Sequence, residues 1–169
     1  MDKYTWNLKE IYEDESKLEW DIGELYGYMG ELKNYKGKLS LGVDEVYNCY
    51  KILEKSLEHF ERISVYAMMK FHQDMSNQEN IKLYKRIERI TAEFSEVESF
   101  ILPEMSKIDD KTLESFLEDP RMLEYEKIIK DIIKSKKHIL SEEVEEVLAK
   151  FSEVFASSEN VFDIFTNTE

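Results

Sequence analysis

Three histidines and a single cysteine are the side chains of this sequence best suited to chemistry, and their spacing argues against each obvious use. A hydrolytic zinc site draws on two histidines one helical turn apart with a general-base glutamate between them, in the pattern His-Glu-x-x-His. His59 and His72 share one long helix-forming stretch but lie too far apart to hold one metal, and neither has a histidine or carboxylate four residues on. Metal ligands come in clusters, so both read as surface or flanking histidines. His138 and Glu142 are one turn apart in number, but Ser141 between them has the character of a helix cap, which breaks the shared face. Cys49 stands among Tyr47, Tyr50 and Leu53 in an aromatic, acidic neighbourhood that disfavours a thiolate nucleophile, and it reads as a half-buried structural thiol. Gly23, Gly27 and Gly30 fall inside a helical pattern with no strand before them, so they form no phosphate loop; the spacing of Gly23 and Gly27 points to close helix packing. Adjacent carboxylates such as Glu142–Glu143 and Glu145–Glu146 are expected in a chain with 37 acidic residues and read as solvated face. No residue is assigned a catalytic, cofactor-binding or metal-ligating role.

Something must nevertheless be positioned by the 169 residues, which suffice for one domain that folds without disulfides or metal. Against 23 basic side chains the acidic ones leave a net charge of −14, which works against phosphate contacts and so against nucleic acid. With one cysteine no intramolecular disulfide forms, and a reducing compartment fits. No basic leader with an apolar core opens the chain and no apolar run reaches membrane-spanning length, so the expectation is a cytoplasmic protein without a membrane.

Apolar spacing predicts an all-α fold, a single helical domain over 1–169. An extended start and a short helical turn at 8–17 lead into a helix over 17–34, with Leu18, Ile22, Leu25, Met29 and Leu32 on one face. Gly37 and Gly42 bracket a loop. A long helix follows over 43–75, with Val46, Tyr50, Leu53, Leu57, Phe60, Ala67 and Phe71 alternating in steps of four and three around one polar interruption at Ser64. Ser76-Asn-Gln-Glu79 has the pattern of a capping box, and Leu83, Ile87, Ile90, Phe94, Val97 and Ile101 repeat the alternation, which makes an antiparallel hairpin of about 43–102. Pro103 is expected to end that pattern. Shorter helices over about 104–158 follow: one capped by Asp109 or Asp110, a break at Asp119-Pro120, a stretch 122–134 with Leu123, Tyr125, Ile128, Ile129, Ile132 and Ile133 on a broad buried face, and a last helix from Ser141 to about 157. Tyr4, Trp6 and Tyr12 lie off any stripe and read as anchors for the leading segment.

Taken in order, Thr5-Trp-Asn-Leu8 with Ile11-Tyr12, Trp20, Tyr35-Lys-Gly-Lys-Leu39, Ile63-Ser-Val-Tyr-Ala67 with Asp74, Leu102-Pro-Glu104 and Lys137-His-Ile-Leu-Ser141 through Leu148-Ala149 resemble the N-terminal region of oligoendopeptidase F, a branch of the thimet-oligopeptidase-like zinc metallopeptidases. The resemblance spans nearly the whole chain. It implies a helical N-terminal lobe that covers one side of a deep channel, admits short peptides and excludes folded proteins. It also implies that the zinc ligands and general base belong to a catalytic domain absent from these residues, so that zinc is expected there and no cofactor here. The partners implied are that catalytic domain, in the same polypeptide, and short peptides in the full enzyme; an isolated lobe is expected to be inactive and to self-associate. The alternative is a free-standing acidic helical module for protein–protein interaction, and a standalone hydrolase finds no support in the residues.

Overall fold

The computed structural model describes residues 6–136. The chain divides into two compact units, 1–132 and 133–169. The described residues make up nearly all of the first unit, together with the last turn of the helix that ends it. The segment 137–149 that carries part of the family resemblance, with His138, Ser141 and the paired glutamates, lies outside the described residues, as do Tyr4 and the predicted last helix. Every described element is helical, and none is long and apolar enough to cross a membrane.

Three long helices form the body: α1 (Glu15–Leu32), α2 (Val43–Gln73) and α3 (Gln78–Glu98). α1 starts where Asp14 accepts from the Lys17 amide, and before it only Leu8–Glu10 of the expected 8–17 turn is helical, as a single 3-10 turn. Leu18, Ile22, Leu25, Met29 and Leu32 are buried as their spacing predicts. The two positive-φ glycines, Gly37 at 81° and Gly42 at 154°, turn the chain through short 3-10 segments (Lys33–Tyr35 and Leu39–Leu41) into α2, in conformations an L side chain rarely adopts.

The hairpin of α2 and α3 is present and antiparallel, with Phe60 stacked on Phe94 (4.9 Å) and Phe71 on Tyr84 (4.6 Å). Two details differ from the sequence reading. Val46, Cys49, Ser56, Ile63 and Ala67 are almost fully buried on α2, whereas Leu53, Leu57, Phe60 and Phe71 of the heptad stripe are half-buried. The reason is that α2 packs on two neighbours at once, so its deepest line falls between the α1-facing and α3-facing sides. The cap of α3 is Asn77, which accepts from the Glu79 and Asn80 amides; Ser76 instead turns its hydroxyl onto Asp74.

Beyond α3 come α4 (Ile101–Lys107), α5 (Asp110–Phe116), a 3-10 turn (Pro120–Tyr125) and α6 (Glu126–Lys136). The α3 pattern ends at Glu98, before Pro103, which sits in the first turn of α4, where amides need no intrahelical partner. Asp109 caps α5 through the Thr112 amide, and Asp119 accepts from the Arg121 amide at the predicted break. The broad buried face expected at 122–133 is narrower than predicted. Met122, Tyr125, Ile129 and Ile132 are buried, while Leu123 and Ile128 are exposed because they lie to one side of that three- and four-residue spacing. This part is fastened to the helical body by the Glu104 carboxylate, which accepts from the Gly37 amide at 2.6 Å, by an Arg121–Asp44 ion pair, and by Tyr125 stacked on Tyr50 (5.0 Å).

Candidate functional site

Asp21 interrupts the apolar stripe of α1 and is 1% exposed, so its carboxylate must find donors inside the protein. Two segments supply them, the leading segment and α2. The Tyr12 hydroxyl donates to Oδ2 from the leading segment, Arg62 Nη1 of α2 reaches the same oxygen at 3.3 Å, and His59 Nδ1 lies 2.7 Å from Oδ1. Burial, then the bond to Asp21, push the Tyr12 hydroxyl far above the ordinary phenol range, so it stays protonated and donates. His59 is held from the sides as well, stacked on Tyr28 (5.5 Å) and edge-on to Trp20 (6.1 Å), with the Lys55 ammonium over the Tyr28 ring. Of the two readings of His59, surface or flank, the structure gives the flank. His59 sits one turn before Ile63 at the edge of the α1-facing side, where the acid of α1 comes opposite. His72, near the end of α2, is exposed as read.

An aspartate orienting a histidine makes two of the three members of a catalytic triad, but the pair here faces aromatic rings rather than a hydroxyl or thiol nucleophile. The cysteine is elsewhere: Cys49 is completely buried, and burial pushes its thiol up to about 12, which removes it from nucleophilic chemistry at neutral pH. Among the described residues no three of His, Cys, Asp and Glu are grouped as a metal site. What this arrangement does is mechanical. It clips the leading segment to α1 and α2, helped by Gln73 Nε2, which donates to the Trp6 carbonyl at 2.8 Å. Trp6 and Tyr12 thus act as the expected anchors, although the Trp6 ring itself is 52% exposed.

The glycines of α1 do not serve helix packing. Gly23, Gly27 and Gly30 lie opposite the buried stripe, and a Cβ built at any of them meets nothing within 4 Å. α1 meets α3 instead along a polar seam. Arg86 grips the Glu19 carboxylate with both Nη atoms, and the Tyr26 hydroxyl donates to Glu93 at 2.9 Å. Both pairs are 67 residues apart, so α1 and α3 run parallel in constant register. Past Tyr26 the seam opens into a cleft of about 740 Å³ lined from both helices and the turn after α1. Neither the Asp21 cluster nor this cleft is announced by a motif. The one available signal was Asp21 itself, an acid at a buried position of an otherwise regular apolar face.

Known proteins share this helical outline. The family model described as Oligopeptidase F matches residues 104–169. The chain is 27% identical over 164 residues to an oligoendopeptidase F homolog of Borreliella burgdorferi, covering 97% of the chain and 28% of that protein. It is 29% identical over 166 residues to oligopeptidase PepF of Bacillus subtilis, covering 98% of the chain and 25% of the relative. Its fold matches the crystal structure of oligoendopeptidase-F from Enterococcus faecium with a TM-score of 0.68 at 27% identity, over 91% of the chain and 30% of that structure. The chain thus spans little more than a quarter of the length of the curated relatives it matches. In sequence over nearly all its residues, and in the fold of its helices, the chain belongs to the oligoendopeptidase F family, of which it is the N-terminal domain.

Proposed function

We propose that this domain is the noncatalytic lobe of a zinc-dependent oligoendopeptidase, and that it restricts access to the peptidase channel to short peptides. The observation that carries the reading is the extent of the match: almost the whole chain aligns, yet it accounts for only 25–28% of each of these oligopeptidases, which leaves the remainder of such a polypeptide to hold the zinc and hydrolyse the peptide bond. A gate needs a stiff wall, and α2 with its 31 residues spans about 46 Å at the standard helical rise. α1 and α3 brace it on two sides, and the buried Asp21 network locks the leading segment over α1 and α2. A lid so built excludes water and large substrates by position alone, with no chemistry of its own.

An antibody raised against this chain tests the premise directly in extract of the source cell. A polypeptide several times the 20.2 kDa of the chain is the expected result. A band at 20.2 kDa alone would favour the free-standing interaction module. In the larger enzyme the gating role predicts a cut-off in substrate length that shifts upward when the α2–α3 hairpin is interrupted by a flexible insertion at the exposed 74–77 turn; an unchanged length profile would leave the lobe without a gate.

A further inference from the structure

The cleft between the C-terminal halves of α1 and α3 differs from the rest of their seam. At Glu19–Arg86 and again at Tyr26–Glu93 the two helices are bridged directly, one heptad apart. One heptad further on, the same register sets Lys33 opposite Phe100, an apolar ring 8% exposed, and the ladder stops. There the space opens to about 740 Å³, within the roughly 300–1,000 Å³ usual for small-molecule sites. The α1 side supplies two exposed cations, Lys33 and Lys36; the α3 side supplies two exposed carboxylates, Glu93 and Glu96. Among the described residues no ion pair joins these walls, although one closes the same seam two heptads earlier, at Glu19–Arg86. Opposite charges of equal number therefore face a shared space over an apolar floor of Met29, Val97 and Phe100.

We propose that this cleft binds a short peptide by its two free ends, the carboxylate on Lys33 and Lys36 and the ammonium on Glu93 and Glu96, with a side chain laid on the apolar floor. An extended tripeptide is about 10 Å long and fits a space of this size. The charge pattern itself selects a zwitterion; taking that zwitterion to be a peptide rests on the oligopeptidase reading. Gly30 keeps the mouth open, because it lines the cleft and carries no side chain. The site would hold the short substrates or products that the gate admits.

Titrating the isotope-labelled chain with the tripeptide Ala-Phe-Ala and following its amide resonances tests this without a catalytic domain. Saturable shifts are expected at residues 26–36 and 93–100, with a dissociation constant of about 1 mM, given how little exposed charges contribute. The same peptide acetylated and amidated should bind about tenfold more weakly. Gly30→Leu, a helix-favouring change at an exposed position, should abolish the shifts without lowering the urea midpoint, and the double variant Lys33→Gln/Lys36→Gln should make binding indifferent to C-terminal amidation. Equal affinity for the blocked peptide would overturn recognition of the ends. No saturation at about twentyfold the expected constant would overturn the site. Neither result touches the gating lobe, whose premise is read from the size of the native polypeptide.

Discussion

A buried carboxylate left without donors would be among the most destabilising features a small domain could carry, and Asp21 shows how such a group becomes a fastener instead. Its three donors come from the leading segment, through Tyr12, and from α2, through Arg62 and His59, so the bonds tie both the leading segment and α2 to α1. Tyr12→Phe removes the donor that belongs to the leading segment. It should cost about 1–2 kcal/mol in urea unfolding and speed amide exchange at residues 8–12 more than in α2. Equal stability and equal exchange would mean that the segment is held by packing alone. A second prediction concerns alkaline pH. Burial raises the Cys49 thiol from its ordinary 9.0 to about 12, and burial likewise raises the Tyr50 hydroxyl from 10.0 to about 12. The unfolded chain releases these protons at the ordinary values while the folded chain keeps them, so above pH 9 the unfolded state binds fewer protons and stability falls as pH rises toward 12. Urea midpoints measured from pH 8 to pH 11 should decline, less steeply in Cys49→Ala than in the parent once its lower starting stability is subtracted. Alkylation of Cys49 at pH 8 should proceed only as fast as the protein opens.

At the scale of elements, two local choices carry separable energies. Asn77 caps α3 through two amides while Ser76 serves Asp74, so Asn77→Ala should lower stability by about 1 kcal/mol and Ser76→Ala by much less. The reverse order would restore the capping box that the sequence pattern promised. Gly23, Gly27 and Gly30 occupy an open helix face, and each change to Ala should raise stability by about 0.5–1 kcal/mol in urea unfolding. A loss at any of them would show that the face is covered. These elements also explain what the sequence disclosed and what it did not. Period and spacing report burial, so the α1 stripe, the hairpin and the break at Asp119-Pro120 were legible. They do not report how many neighbours a helix has, which is why the deepest line of α2 fell between its two expected faces. Nor do they fix which of two adjacent polar residues becomes a cap, or whether a glycine faces a neighbour or open space. Leu123 and Ile128 were misplaced for a related reason: an apolar run admits a wider face than the contacts actually use.

On the scale of the whole molecule the family was legible through resemblance, the site only through geometry. The ordered run of motifs from Thr5 to Ala149 carried the family, while the Asp21 cluster and the α1–α3 cleft each join residues from distant segments that no local pattern links. The charge of −14 has its own consequence once the domain is read as a gate. An acidic wall of several charges concentrates cationic peptides near the entrance and repels acidic ones, an effect on encounter that salt suppresses within a Debye length of about 8 Å at physiological ionic strength. Glu61, Glu88 and Glu114 are exposed acids outside the cleft and outside the described ion pairs, so Glu61→Gln, Glu88→Gln and Glu114→Gln together reduce the field without touching either site. In the full peptidase this triple variant should lower kcat/KM for a lysine-rich peptide about threefold at low salt, raise it for a glutamate-rich one, and leave kcat unchanged for both. The difference should vanish as salt is raised, because steering acts at long range, whereas a contact made in the bound state would persist. A loss in kcat that salt does not remove would place these glutamates against the substrate rather than on the approach to it.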